Sequence, residues 1–252
     1  MADSRSEIEQ LNEQDAYNFK HVREHLGYNA NLPDDVAKAY DFLAKANSPA
    51  RLPTLQARTA NALFFLCRKH LTLGAIALFR IYSAQMFRET RAAVEAAGIA
   101  HAIQTNLDDF NLFRDDGSPE ARRRVRKTFT SARLFPTEVP ELAELRRYYN
   151  TASDLSHTNR MTFIRHLSAG KGPNEATFYY QDIRPDEGKQ LPSFLHWLCA
   201  AHVRILFVAD VVFPDNSVAL EDFRKERRYV AEKLGRFHLQ HKSRLTEGPG
   251  AP

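Results

Sequence analysis

Forty-four consecutive residues, Thr54 to Ala97, contain no proline and a single glycine, Gly74, and they form the most apolar part of the chain. A stretch of that length far exceeds any ordinary strand and is rich in good helix formers, so it commits the middle of the molecule to α-helix. Thr72 and Gly74 fall inside it, so it reads as two helices or as one kinked helix, with Gly98 as its stop. Composition agrees, because 32 Ala and 26 Leu stand against 11 Val and 8 Ile. The 10 glycines in 252 residues leave little material for the turns of a sandwich or barrel, or for a phosphate-cradling loop. The expected fold is all-α: a single bundle-like domain of about eight helices over residues 1–245, then a disordered tail at 246–252.

Start and stop signals divide the rest. Ser4 or Ser6 caps a first helix that runs to about Leu26 and stops at Gly27, and Pro33 opens a second that ends near Ala46. Ile99 to Phe113 reads as one helix. Ser118 and Pro119 start the next, Glu138 to about His157 follows, Pro192 opens an apolar helix to Phe213, and Asn216 or Ser217 caps a last charged helix to about Ser243. Between residues 161 and 183 the period changes. Thr177 to Ile183 is aromatic and extended in character, Ser168 to Asn174 is turn-forming, and a small β-hairpin with Met161 to Leu167 is expected.

A formal charge of +4 permits a nucleic-acid partner without implying one. Cys67 and Cys199 each sit in an apolar run and read as buried free thiols. The charged N-terminus does not read as a signal peptide, and Arg68, Lys69, His70 and Arg80 interrupt the apolar run before it reaches the roughly 20 residues of a membrane helix. The expected compartment is the cytoplasm, with no membrane contact.

The segment Arg146 to Arg160 carries the densest polar chemistry. Helical spacing groups Tyr149, Ser153, Asp154, His157 and Arg160 toward one face, and Asp154, three residues before His157, would orient the imidazole and raise its pKa. This Tyr-x-x-x-Ser-x-x-x-His stretch resembles one placed late in certain bacterial helical-bundle proteins and, more distantly, the chain resembles the HEPN superfamily of helical ribonucleases. Those nucleases use an Arg-x4–6-His motif whose Arg and His contact the scissile phosphate and 2′-hydroxyl without a metal. Two stretches match it, Arg160 to His166 and Arg236 to His241. The resemblance implies a metal-independent endoribonuclease using Arg160 with His166 or His157, working as a homodimer.

Other groupings say less. His196 and Cys199 have metal-ligand spacing, but a zinc site needs three or four ligands and no further motif supplies them, so neither metal nor cofactor is expected. A Ser-His-Asp set drawn from Ser153 or Ser156, His157 and Asp154 lacks an exposed elbow and an oxyanion hole. Arg80, Arg88, Arg91 and Glu95 form a polar stripe that either meets solvent or lines a cleft against the Tyr149 helix. Arg122, Arg123, Arg124, Arg126 and Lys127 form a basic run facing only Glu120, a candidate contact for RNA or an acidic protein surface. The expected function is a binding module with a polar cleft around residues 149–160, and the alternative is the ribonuclease.

Overall fold

The computed structural model describes residues 6–48, 50–115, 117–156, 167–169, 176–178, 190–214 and 220–241. The expectation of an all-α chain holds: the described residues form nine helices of eight residues or more and one single turn. They are α1 (Glu7–Leu26), α2 (Leu32–Ala46), α3 (Leu55–Phe79), α4 (Ser83–Thr105), α5 (Leu107–Arg114), α6 (Pro119–Thr128), the turn α7 (Ser131–Leu134), α8 (Pro140–Ser156), α9 (Leu191–Val212) and α10 (Glu221–Gln240). A 3-10 turn, Gly27–Asn31, joins α1 to α2.

Local chemistry accounts for most of the boundaries. Ser6 and Glu9 close a reciprocal capping box on α1, and Gly27 ends it with φ at +55°, a conformation that carries no side-chain penalty in glycine. Thr54 caps α3 and Ser118 caps α6 through their hydroxyls.

The long apolar run is two helices, but the break is not at Thr72 or Gly74. Thr72 bonds back to the Arg68 carbonyl within the helix. Gly74 is buried, and a Cβ there would stand 3.1 Å from the Leu198 side chain, so the glycine admits α9 to close packing and does not bend α3. The chain turns at Arg80–Tyr82, where Ile81 takes φ +67°. The Ile81 amide bonds the Leu78 carbonyl and the Tyr82 amide that of Ala77, which is the Schellman pairing with isoleucine in the place glycine usually takes. The polar stripe expected from Arg80 to Glu95 is therefore cut at its start. Arg80 caps α3 and faces Asp15, while Arg88 meets solvent and Arg91 turns inward.

Three other expectations are corrected. Gly98 lies inside α4, which continues to Thr105, and Asn106 then caps α5 through the amides of Asp108 and Asp109, so Ile99 to Phe113 is not one helix. The last helix starts at Glu221 with Leu220 before it, so neither Asn216 nor Ser217 caps it. The hairpin pairs Leu167–Ala169 (β1) with Ala176–Phe178 (β2), antiparallel with Leu167 opposite Phe178, so strand reaches Ser168 and Ala169, which the sequence places in the turn, and the rest of the expected partners Met161–Leu167 and Thr177–Ile183 lies outside the described residues. The tail expected at 246–252 lies outside the described residues.

One cluster of buried side chains, with Phe64, Phe87, Phe135, Phe194, Phe223 and Phe237 among its largest members, joins all the helices but α6, which packs only the half-buried Val125 against it. α3 and α4 pack along each other as the central pair, α8 and α9 cover α4, and α2 sits among α3, α9 and α10. By length and composition α3 and α9 could each cross a membrane, with mean hydropathy 1.5 and 1.6, which the interruptions at Arg68 to His70 and Arg80 had argued against. In this fold 61% of the α9 window is buried as a core helix, against 44% for α3.

Candidate functional site

α8 presents two polar faces, one to each of its neighbours. Leu142, Leu145 and Ala152 anchor it in the core. Tyr149 and Ser153 stand one turn apart beside that anchor and meet α4. The Arg91 Nη2 donates to the Tyr149 hydroxyl at 3.3 Å, the guanidinium lies 5.2 Å from that ring's centroid, and Phe135 packs beside the same ring at 5.2 Å. Arg91 Nε and Ser153 Oγ are buried without a hydrogen-bond partner. This seam holds two orphaned polar atoms but no cavity among those described, so Arg91 and Tyr149 read as a packed lock between α4 and α8.

Asp154 is exposed, on a different flank of α8 from Tyr149 and Ser153, so the structure does not bring all three together. His157, Arg160 and His166 lie outside the described residues. Arg236 is exposed near the end of α10, and the His241 ring packs on Phe237 at 4.7 Å.

The other face of α8 is a stripe of Glu144, Arg147, Tyr148 and Thr151, spaced i, i+3, i+4 and i+7. Together with Trp197 and Arg204 of α9 it lines a cleft of about 280 Å³. Trp197 and Arg204 are seven residues apart and share one side of α9, and the residues between them at the next turn, Ala200 and Ala201, are too small to fill the space. The floor is aromatic: the Trp197 ring lies 5.5 Å from Tyr148 and 4.8 Å from Phe87, which fixes its plane. Arg204 Nε is paired to a Glu144 carboxylate oxygen at 2.9 Å, leaving its two terminal amino groups. Arg147 is exposed and has no acidic partner among the described residues. Burial raises the Tyr148 pKa, with Arg204 partly offsetting the effect and Glu144 adding to it, so its hydroxyl is a neutral donor and acceptor at physiological pH.

Chemically, the cleft offers an aromatic plate, two guanidinium groups, a phenol and a hydroxyl, a set suited to holding a flat ligand that carries negative charge. Sequence reasoning missed it by one residue of helical phase. Helical spacing points to Tyr149, whereas its neighbour Tyr148 lines the cavity, and one residue is 100° of rotation. A signal was present in α9, where the single tryptophan of the chain and the helix's only arginine stand seven residues apart on one side.

The remaining candidates do not join this site. Arg122, Arg123, Arg124, Arg126 and Lys127 are all exposed on α6, which packs on α5, which packs on α4. Arg124 pairs with Asp115 at 3.2 Å. Cys67 and Cys199 are free and fully buried, and burial pushes both thiols up, out of reach of nucleophilic use. The His196 ring lies 5.0 Å from that of His238, and burial, with His238 second, lowers the His196 pKa to about 4. Among the described residues no group of three or more His, Cys, Asp and Glu could hold a metal. No family model, no curated protein and no solved structure matches the chain.

Proposed function

We propose that this chain is a binding module whose α8–α9 cleft takes a planar, anionic ligand of about mononucleotide size. The observation that carries the reading is the convergence of Trp197, Tyr148, Arg147 and Arg204 on one cavity of about 280 Å³. A nucleobase or other aromatic ring would lie against Trp197, and a phosphate or carboxylate would bridge Arg147 and the free amino groups of Arg204. The Tyr148 and Thr151 hydroxyls supply orientation. The cleft thus takes over the role expected for residues 149–160. The ribonuclease alternative rests on Arg160 with His166 or His157, and RNA cleavage in EDTA by the wild type, lost in His157→Ala or His166→Ala, would establish it in place of simple binding.

Trp197 is the one tryptophan in the sequence, so it reports occupancy without a label. Titration with mononucleotides, with single-stranded RNA and with simple aryl carboxylates should change its emission saturably for at least one of them. The R147A and R204A substitutions should each weaken binding by roughly ten- to a hundredfold, the usual worth of a charge-assisted hydrogen bond. Unchanged emission with all three ligand types, or wild-type affinity in both variants, rejects the cleft as the binding site.

A further inference from the structure

The first two turns of α1 extend past the body of the fold. Antiparallel packing sets α1 along the end of α3: the Phe19 ring meets Phe79 at 5.5 Å, the Tyr82 hydroxyl donates to Asp15 at 2.9 Å, and Arg80 lies 3.8 Å from Asp15. Every residue from Ser6 to Gln14 is exposed, and Ile8 lies about 10 Å beyond Asp15 along the helix axis. The face that buries Val22 and Leu26 continues into this arm as Leu11 and Ile8, which are 40% and 72% exposed. A helix that keeps its apolar side after leaving its own core has a face without a cover.

A second uncovered face lies on α3. Leu55, Phe65, Leu66 and Leu73 are 54%, 48%, 38% and 38% exposed, and with Ala62 they form one stripe at helical spacing. The two faces match in charge. The arm from Glu7 to Gln14 carries Glu7, Glu9 and Glu13 and no cation, whereas Leu55 to Leu73 carries no carboxylate and exposes Arg58 and Lys69, its third cation, Arg68, being half-buried and paired with Asp41 at 2.9 Å. Lys69 stands in the middle of the stripe, exposed and without an acidic partner among the described residues. Within one chain the two faces cannot meet, because the arm leaves the C-terminal end of α3 and points away from the stripe.

We propose that the occupant of the α3 stripe is the α1 arm of a second copy of this chain, in a reciprocal two-fold dimer. Ile8 and Leu11 of each copy lie on Phe65, Leu66 and Leu73 of the other, and the arm's glutamates surround Lys69. Two-fold symmetry makes each copy both donor and acceptor, so an arm and a stripe are buried on each side. The contact is part apolar and part ionic, so added salt weakens it without abolishing it.

Sedimentation velocity on the full chain, from micromolar to sub-millimolar concentration, should show a reversible dimer of twice 28.8 kDa that weakens as salt rises. Ile8→Asp with Leu11→Asp, and separately Phe65→Asp with Leu66→Asp, should each give a monomer with unchanged far-ultraviolet circular dichroism, since these side chains are exposed in the single chain. Mixing the two monomeric variants should restore a 1:1 dimer, because one retains a stripe and the other an arm. A wild type that stays monomeric at every concentration overturns the proposal. So does loss of the dimer in the α3 variant alone, which would place stripe against stripe. Binding of a monomeric wild type to vesicles of anionic lipid would assign the stripe to a membrane surface and overturn it as well.

Discussion

His202 is a histidine placed in the core of the bundle. It is fully buried, its Nδ1 lies 3.0 Å from the Tyr40 hydroxyl, and its Nε2 has no partner. Burial, with a smaller contribution from His70, lowers its pKa to about 3, so the imidazole is neutral in the folded protein at physiological pH. An unfolded histidine titrates near 6.5. Below that value the unfolded chain takes up a proton that folded His202 refuses, so stability is present above pH 6.5 and is lost as pH falls from about 6.5 toward 3, by up to about 1.4 kcal/mol per unit. His196, lowered to about 4, acts in the same direction. Urea midpoints at pH 7 and pH 4.5 should therefore differ, and Tyr40→Phe with His202→Leu should shrink the difference while leaving the pH 7 midpoint near that of the wild type. Either substitution alone orphans its buried partner and should cost about 1–3 kcal/mol at pH 7. The role of His202 was not legible in the sequence, where it is one histidine on an apolar helix and nothing indicates that Tyr40, 162 residues away, lies opposite.

Helix ends were legible where side chains mark them and illegible where the fold imposes them. Ser6, Thr54, Ser118 and Gly27 lie where capping chemistry predicts. The α3–α4 turn has no such mark, because Ile81 occupies the left-handed position and its buried side chain offsets the strain. Gly98 misled in the opposite sense, reading as a stop although it sits in mid-helix. A Cβ at Gly98 would lie 2.9 Å from the Leu134 Cβ and 3.0 Å from the Leu134 carbonyl oxygen, so the glycine exists to let the α7 turn press against α4. Backbone cannot yield as a flexible side chain does. Gly98→Ala should therefore destabilise by about 1–3 kcal/mol despite the better helix propensity of alanine, and thermal melting should show a lower Tm. A raised Tm would mean that α7 is free to move off α4. The same logic of phase governs the cleft: the i, i+3, i+4, i+7 stripe on α8 was present in the sequence, but which of its two polar faces meets a cavity depends on where α4 and α9 sit.

At the scale of the whole molecule, the last helix is held by buried charge as well as by apolar contact. Lys233 of α10 pairs with Asp35 of α2 and donates to the Tyr28 hydroxyl at 3.2 Å, and both members of the pair are buried. Arg227 pairs with Asp210 of α9 while its guanidinium lies 4.0 Å from the Phe207 ring centroid. A buried pair contributes little net stability over an apolar pair of similar volume, yet removing one partner strands the other. Asp35→Leu alone should cost about 3–5 kcal/mol in chemical denaturation, and Asp35→Leu with Lys233→Met should recover most of it. Equal losses in the single and double variants would show that α10 does not depend on this contact.

Composition and periodicity by themselves determined the all-α class and the positions of most helices, because helix propensity, capping and amphipathic spacing act within a few residues along the chain. They also placed the two cysteines in the core. Only the tertiary structure decided which face of α8 opens onto a cleft, that Trp197 and Arg204 complete it, that Gly74 and Gly98 are points of close packing, and that Ile8 and Leu11 lie beyond their own core. Those outcomes depend on contacts between residues far apart in sequence. A rotation of 100° per residue turns any small difference in helix placement into a different set of exposed side chains.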